Sequence, residues 1–550
     1  MTEATPHFSD SHVLVIDDIA SMRAQIVSNL TSLGFRNVAS FNSCQRALAQ
    51  LEHTKVDLIL CDYHLGEITS GQQLLEHLRS KNLIPAATLF VMVTARRAYE
   101  EVIRAAEFSP DDYLVKPFTG AQLNTRLTKL FERRERFRGV HKALTKGDWQ
   151  TAVALCDSIL MAGDRFAMEA NKLKGQALLK AGRAAEAELL YRSVISIRQL
   201  GWAELGLARA LAAQNALAAA KTVLDGLLAC GAKFSASDRM GAYDALVHVM
   251  EATERNKEAL GVMQAAMNLS SGSMERARKL TTLAMSEGEI ALAAKTVRKL
   301  VSDNKHSHMK IASDYLMAAD VLTQSGFADD ALSTINAVRK SFDTIADLQT
   351  LAVAEAGAHV AKGDNAAAAQ LLQHISVDHA AGLPAATAAA LGKTLYRMGD
   401  DEAANTVMRH LIQNNPDNKD VVRTVHAAMA AVGKQELSKA LVDASLQEAA
   451  AINNEGVRLA YANQLDEAVE LLTKAAELLP GNTQFVSNAA LVIALALTKA
   501  ETVDRNQYQA CLKYRSIVAA REPAHPKLPQ IDGLLKILQG VQYDAASRSA

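Results

Sequence analysis

The chain of 550 residues lacks any cysteine pairing signal: Cys44, Cys61, Cys156, Cys230 and Cys511 are scattered, odd in number and without a CxxC. Such a set reads as reduced thiols, most of them small core residues, and excludes a disulfide framework or a zinc knuckle. Excess charge is also missing, since Lys+Arg 59 against Asp+Glu 60 leaves a formal net charge of −1. That removes the electrostatic case for nucleic acid as the main partner. The longest apolar stretch, AALVIALAL at 489–497, is too short to cross a bilayer, and no N-terminal segment reads as a signal peptide. No membrane is expected, and the location expected is cytoplasmic. Walker loops, GxGxxG, histidine pairs at metal spacing and Ser/His/Asp sets are absent too, so no separate catalytic output is expected.

What the chain does have is three apolar runs that end in charge. HVLVIDD ends at Asp17 and Asp18, VDLILCD ends at Asp62, and DDYLVKP ends at Lys116 and Pro117. A short apolar run ending in a carboxylate is the pattern of a buried parallel strand whose tip opens into a crevice, where open α/β sheets bind ligands. Crowded carboxylates repel one another unless a hard cation joins them, and Mg²⁺ takes oxygen ligands. One carboxylate can then act as nucleophile toward a phosphoryl group, with the lysine helping to neutralise the developing charge. Extended stretches near 12–17, 36–41, 57–62, 87–93 and 112–115 alternate with helical spacing at 20–33, 43–52, 70–81, 97–108 and from 119 onward. Five strands alternating with helices predict a doubly wound, five-stranded parallel sheet of flavodoxin-like type.

Over residues 11–136 this pattern resembles the receiver domain of bacterial two-component response regulators. The resemblance implies that Asp62 is phosphorylated by a histidine kinase or phosphotransfer protein. It implies that Asp17, Asp18 and Asp62 hold Mg²⁺ with the backbone carbonyl of His64. Thr94 matches the hydroxyl residue that bonds the phosphoryl oxygen, Tyr113 the aromatic switch, Lys116 the phosphoryl-pairing lysine, and Pro117 the proline usually preceded by a cis bond. The chain departs from the family where Gly66 replaces a common proline and where Gly71 falls one residue late, which gives this loop its own shape. His64 and Arg96 occupy the two positions that influence access of the hydrolytic water.

From about residue 137 strand signals vanish, proline becomes rare, and alanine and leucine recur at helical spacing. Small residues mark a repeat at Ala152, Ala187, Ala218, Ala259, Ala293, Ala331, Ala368, Ala404, Ala468 and Ala510. Most intervals are near the roughly 34 residues of one repeat type. NEGVRLAYANQLDEAVELLTKAAELLPGN and LGKTLYRMGDDEAANTVMRHLIQNNPDN resemble tetratricopeptide repeats, with Gly456, Ala468, Ala475 and Pro480 in one and Gly392, Ala404 and Pro416 in the other. Residues 137–545 are therefore expected to form an all-α solenoid of ten helical hairpins, with a degenerate eleventh near Ser438, that binds an unknown protein or peptide. The helical pattern after Pro117 meets no breaker before Gly147, so the last receiver helix continues into, or abuts, the first repeat. The basic cluster Arg133, Arg134, Arg136 and Arg138, interleaved with Glu132 and Glu135, reads as a solvated helix face rather than an acidic-partner or nucleic-acid site. Residues 1–10 and the last several are expected to be mobile.

These readings describe a response regulator whose phosphorylation changes either dimerisation through the receiver or access to the repeats. A phosphate sink or adaptor shares the fold. A DNA-binding transcriptional regulator would need a helix-turn-helix with a basic recognition helix, which the repeats lack.

Overall fold

The computed structural model describes residues 8–548 apart from 52, 66–68, 81–82, 86, 96–109, 164, 271–272, 305–309, 378–379, 501–502 and 523–524. The helix expected over 97–108, Gly66 and Arg96 lie outside the described residues. Five parallel strands, β1 (His12–Ile16), β2 (Asn37–Phe41), β3 (Leu58–Asp62), β4 (Leu89–Ala95) and β5 (Asp112–Lys116), pair in the order β2-β1-β3-β4-β5. Helices α1 (Ala20–Ser32), α2 (Cys44–Leu51), α3 (Gly71–Ser80) and α4 (Gly120–Thr145) accompany them. Alternate strand residues feed two apolar layers. Val13, Val15, Leu58, Leu60, Val91 and Leu114 pack with Ile26 and Leu30 of α1 and Leu123 and Leu127 of α4. Leu14, Ile16, Ile59, Cys61, Phe90 and Met92 pack with Ala47 of α2 and Leu74 and Leu78 of α3. Burial on both faces is why these strands read as continuous apolar runs.

The N-terminal residues are not all loose. Phe8 is buried, stacked 4.5 Å from Phe35 and edge-on to Phe131, so the packed chain begins inside the segment expected to be mobile.

The basic cluster also behaves differently from a solvated face. Arg133 and Arg134 of α4 pair with Asp111 and Asp57, the residues just before β5 and β3, and Arg126 pairs with Asp112 at 2.7 Å. Asp111 also accepts the Phe90 N–H at 2.9 Å, and Asp57 accepts the His12 N–H at 2.8 Å. These acids sit where strands begin, so the arginines fasten α4 to the sheet edge opposite the crevice. Arg138, in an exposed pair with Glu135, and the exposed Arg136 fit the solvated reading.

α4 runs for 26 residues without a break, capped at its start by Thr119 in a reciprocal capping box with Gln122. A boundary between residues 136 and 137 falls inside it. Its first half packs on the sheet through Leu123 and Leu127, and its second half buries Phe137, Val140 and Ala143. Phe137 lies edge-on to Phe166, Glu132 pairs with Arg165 at 2.5 Å, and Arg133 comes within 3.9 Å of Glu169. The last receiver helix is thus also the first helix of the repeats.

After α4 the described residues hold 21 α-helices and no strand, from Trp149 to Arg548, and the chain divides into two compact units near residue 300. In the first unit, hairpins such as Ala167–Lys180 with Ala184–Ile197 follow the first repeat. In the second unit, hairpins run from Ala312–Gln324 with Ala328–Val338 to Thr483–Lys499 with Arg505–Arg521, and the final helix, Leu528–Arg548, takes in most of the C-terminal residues expected to be mobile. Eight marker alanines are fully buried: Ala152, Ala187, Ala259, Ala293, Ala331, Ala368, Ala404 and Ala468. Two markers are displaced. Ala218 is exposed while Ala220 is buried, and Ala510 gives way to its neighbour Cys511. The eleventh hairpin exists: Ser438 is 4% exposed on Gln435–Tyr461, a 27-residue helix that serves two successive hairpins. The turn before it holds Gly433 at φ 74°, the left-handed conformation that ends a helix, like Gly399 at φ 86° in the previous hairpin.

Candidate functional site

The crevice lies at the C-terminal edge of the sheet, between β1 and β3, where the chain order reverses. Asp17 and Asp18 follow β1, Asp62 ends β3, and one carboxylate oxygen of each lies within 4.8 Å of the others. Asp17 is fully buried, Asp62 is 7% exposed, and Asp18 faces solvent. Lys116, at the end of β5, donates hydrogen bonds of 2.8 Å to both Asp17 Oδ2 and Asp62 Oδ2. Thr94, fully buried in β4, is the register partner of Val115, one residue from Lys116. Asp17, Asp18, Asp62 and Lys116 are thus brought together, while the Thr94 hydroxyl donates to the main-chain oxygen of Ala95 at 3.3 Å. Tyr113 lies farther back on β5, opposite Met92, and packs against the layer that contains Cys61. His64 is exposed in a two-residue strand paired with Thr69–Ser70, which gives the loop a small antiparallel hairpin. The peptide bond between Lys116 and Pro117 is cis, as the resemblance implies.

The electrostatics follow from burial. Desolvation raises the pKa of Asp62 above the usual carboxylate value, against the opposing pull of Lys116 and the main chain of His64. Burial works against the Lys116 ammonium too, but its hydrogen bonds and charge pairing with Asp17 and Asp62 raise its pKa overall. Three converging carboxylates and one lysine therefore leave an acidic pocket that fits a hard divalent cation, with oxygen donors only. Asp18 is not spent on the helix that follows: α1 is capped at Ile19 without a side-chain bond, and the Ile19 N–H donates instead to Asp17 Oδ1 at 2.9 Å.

Two supports escaped the sequence reading. Arg23 of α1 donates to the main-chain oxygens of Asp17 and Asp18 at 2.6 and 3.0 Å, holding the turn that carries both acids. Gly71 donates its N–H to Tyr63 O at 2.8 Å, and a Cβ there would overlap the Asp62 carbonyl oxygen. The glycine is required by close approach, and its late position in the loop is matched by the hairpin before it. Cys61 points into the opposite apolar layer, where burial pushes its thiol far up, so it is not poised for reaction beside Asp62.

Two family models match separate parts of the chain. The family model for the response regulator receiver domain matches residues 13–128, and the model for the tetratricopeptide repeat protein 21 ARM repeat matches residues 246–396. The chemotaxis protein CheY-3 of Vibrio cholerae is 32% identical over 121 residues, which are 22% of this chain and 92% of that protein. Among solved structures, the receiver domain of a LuxO repressor protein from Vibrio parahaemolyticus matches at 19% identity over 23% of this chain and 92% of its own, with a TM-score of 0.21. A tetratricopeptide repeat protein from Parabacteroides merdae matches at 12% identity over 54% of this chain and 98% of its own, with a TM-score of 0.33.

Proposed function

The chain belongs to the response regulator receiver family through its N-terminal domain, and from that premise we propose that phosphorylation of Asp62 switches protein binding by the helical repeats. The observation that carries the reading is Lys116 bridging Asp17 and Asp62 beside Asp18 at the open edge of the sheet. An oxygen of Asp62 attacks the phosphorus of a phosphohistidine on a histidine kinase or phosphotransfer protein. The O–P bond forms, the P–N bond breaks, and the imidazole nitrogen keeps the electron pair. Lys116 leaves its shared contact and pairs with the new phosphoryl oxygens. Asp17, Asp18 and Asp62, with the His64 carbonyl, would hold Mg²⁺, which supplies positive charge to the transferring group. Thr94 hydrogen-bonds the phosphoryl group, and Tyr113 moves inward behind it. The domains are read as 11–136 for the receiver and 137–545 for the repeats, in an intracellular protein. Among the described residues no helix is long and apolar enough to cross a membrane.

The output is protein binding because helical hairpins stacked in sequence present extended surfaces for peptides or helices. The test compares proteins retained by the phosphorylated chain, the unphosphorylated chain and the Asp62→Asn variant. A partner whose retention changes with phosphorylation in the wild type but not in the variant is the expected result. Retention of the kinase alone, in either state, would instead identify a phosphate sink or adaptor.

A further inference from the structure

Two cations attend the acidic pocket, and they bind it differently. Lys116 donates to the carboxylate oxygens of Asp17 and Asp62. Arg23 donates instead to the main chain: a single nitrogen, Nη1, reaches the carbonyl oxygens of Asp17 and Asp18 at 2.6 and 3.0 Å. The Arg23 N–H also donates to Ile19 O at 3.0 Å, so one residue fastens three consecutive carbonyls of the turn between β1 and α1. Among the described residues no main-chain N–H donates to the Asp17 or Asp18 oxygen. The rest of the turn is sparsely held. The Asp17 N–H reaches Phe41 O at 3.2 Å, the Ile19 N–H reaches Asp17 Oδ1 at 2.9 Å, and Ile19 offers α1 no side-chain cap. Arg23 is the fourth residue of α1, and long helical side chains lean back toward the helix start, which carries its guanidinium over the turn.

Charge and geometry predict opposite effects of Arg23 on a divalent cation. By charge alone it is an obstacle, since a guanidinium near two ligand carboxylates repels a dication and its removal should tighten binding. By geometry it helps, because the turn sets the directions of the Asp17 and Asp18 carboxylates, and groups that orient metal ligands contribute about 10–100-fold to affinity. Arg23 is partly exposed, so solvent weakens the repulsion, while the aim of the ligands is not screened. Geometry therefore wins. We propose that Arg23 is a positioning residue for the metal site, acting through the main chain of Asp17 and Asp18 to aim their carboxylates at a divalent cation. This rests on the reading of Asp17, Asp18 and Asp62 as a Mg²⁺ site, but not on any output of the repeats.

The test counts free Mn²⁺ by electron paramagnetic resonance as the ion is added to the full metal-free chain, in the wild type, Arg23→Met, Arg23→Lys and Asp62→Asn. Mn²⁺ takes the same oxygen ligands as Mg²⁺ and is itself the signal. Arg23→Met should bind about tenfold more weakly or worse, although it deletes a positive charge. Arg23→Lys keeps the charge and a donor but loses the planar fork, so its affinity should fall between those of Arg23→Met and the wild type. Melting curves without metal accompany each sample. A merely structural role would lower the metal-free melting temperature of Arg23→Met and leave its Mn²⁺ affinity unchanged. Unchanged or tighter binding by Arg23→Met therefore overturns the proposal, as does Arg23→Lys binding no better than Arg23→Met. If Arg23→Met does not fold, Arg23→Lys decides: weaker binding than the wild type supports the proposal and equal binding overturns it. A wild type that binds no Mn²⁺, or no more tightly than Asp62→Asn, overturns the metal reading and this proposal with it. A wild type that binds while the Arg23 variants bind equally well overturns this proposal alone.

Discussion

In the receiver, four side chains from the ends of three strands meet at one crevice, where Lys116 bridges Asp17 and Asp62. In the repeats, eight alanines from eight helices each fill an equivalent buried position in their own hairpin. The first arrangement is a constellation: its members are far apart in sequence, they act on one another's charge, and losing one changes the rest. The second is a period, in which each member acts on its nearest neighbours. A substitution in the receiver should therefore abolish chemistry while leaving the fold, and one in the repeats should weaken the fold while leaving the chemistry.

The largest expected effect is at Asp62. After incubation with a small phosphodonor and Mg²⁺, intact mass should show a phosphate adduct in the wild type and none in Asp62→Asn or in excess chelator. An adduct in the variant would break the constellation reading. The same variant should lose a pH dependence. Burial raises the folded pKa of Asp62, so without metal its contribution to stability is greatest at low pH and falls as pH rises from the ordinary carboxylate value of 3.8 through the raised one. Melting curves of Asp62→Asn across that window should lack this decline.

Next come the repeats. Ala220 is fully buried and Ala218 exposed, so Ala220→Leu should cost about 1–3 kcal/mol by overpacking while Ala218→Leu stays within about 0.5 kcal/mol. Equal denaturant midpoints for the two would refute the register. A Cβ at Gly456 would lie 2.5 Å from Leu472, whereas at Gly392 the obstacle is the flexible end of Met408 at 2.7 Å. Gly456→Ala should accordingly destabilise more than Gly392→Ala, by about 1 kcal/mol, with phosphorylation of Asp62 unchanged in both.

The smallest effect sits where constellation and period join. Arg133→Met removes the pairing with Asp111 and the approach to Glu169, and should cost about 1 kcal/mol because these groups are partly exposed. Its sharper readout is optical. In a Trp202→Phe background the remaining Trp149, in the first repeat, should change its emission when Asp62 is phosphorylated, and Arg133→Met should reduce that change. A silent Trp149 with Asp62 demonstrably modified would mean that the two regions are joined but not coupled through α4.

How far the sequence could be read follows the same division. Asp17, Asp18, Asp62 and Lys116 were legible because an apolar run that stops at a charge has few other meanings, and the order of elements followed from alternation. The arginine fastenings were not, because Arg126, Arg133 and Arg134 find Asp112, Asp111 and Asp57 only once the sheet order is known. Arg23 was missed for a related reason, since it serves main-chain oxygens that no side-chain pattern announces. In the repeats, three consecutive alanines, Ala218, Ala219 and Ala220, offer the same small side chain, so periodicity locates the helix but not the residue that faces inward. The joining of two hairpins by Gln435–Tyr461 was hidden by the lack of a turn, which left only a doubled interval.

The unbroken α4 makes the junction a matter of phase as well as of contact. Each residue added to a helix turns everything beyond it by about 100° and advances it about 1.5 Å. One inserted residue between Leu127 and Phe137 would swing the face that receives Phe166 a quarter-turn or more away from the face that grips the sheet. Seven residues would bring it back to within about 20°, two turns farther out. Chain length in this stretch is thus quantised: the connection tolerates change in whole turns and resists it in single residues, a constraint that a flexible tether does not impose.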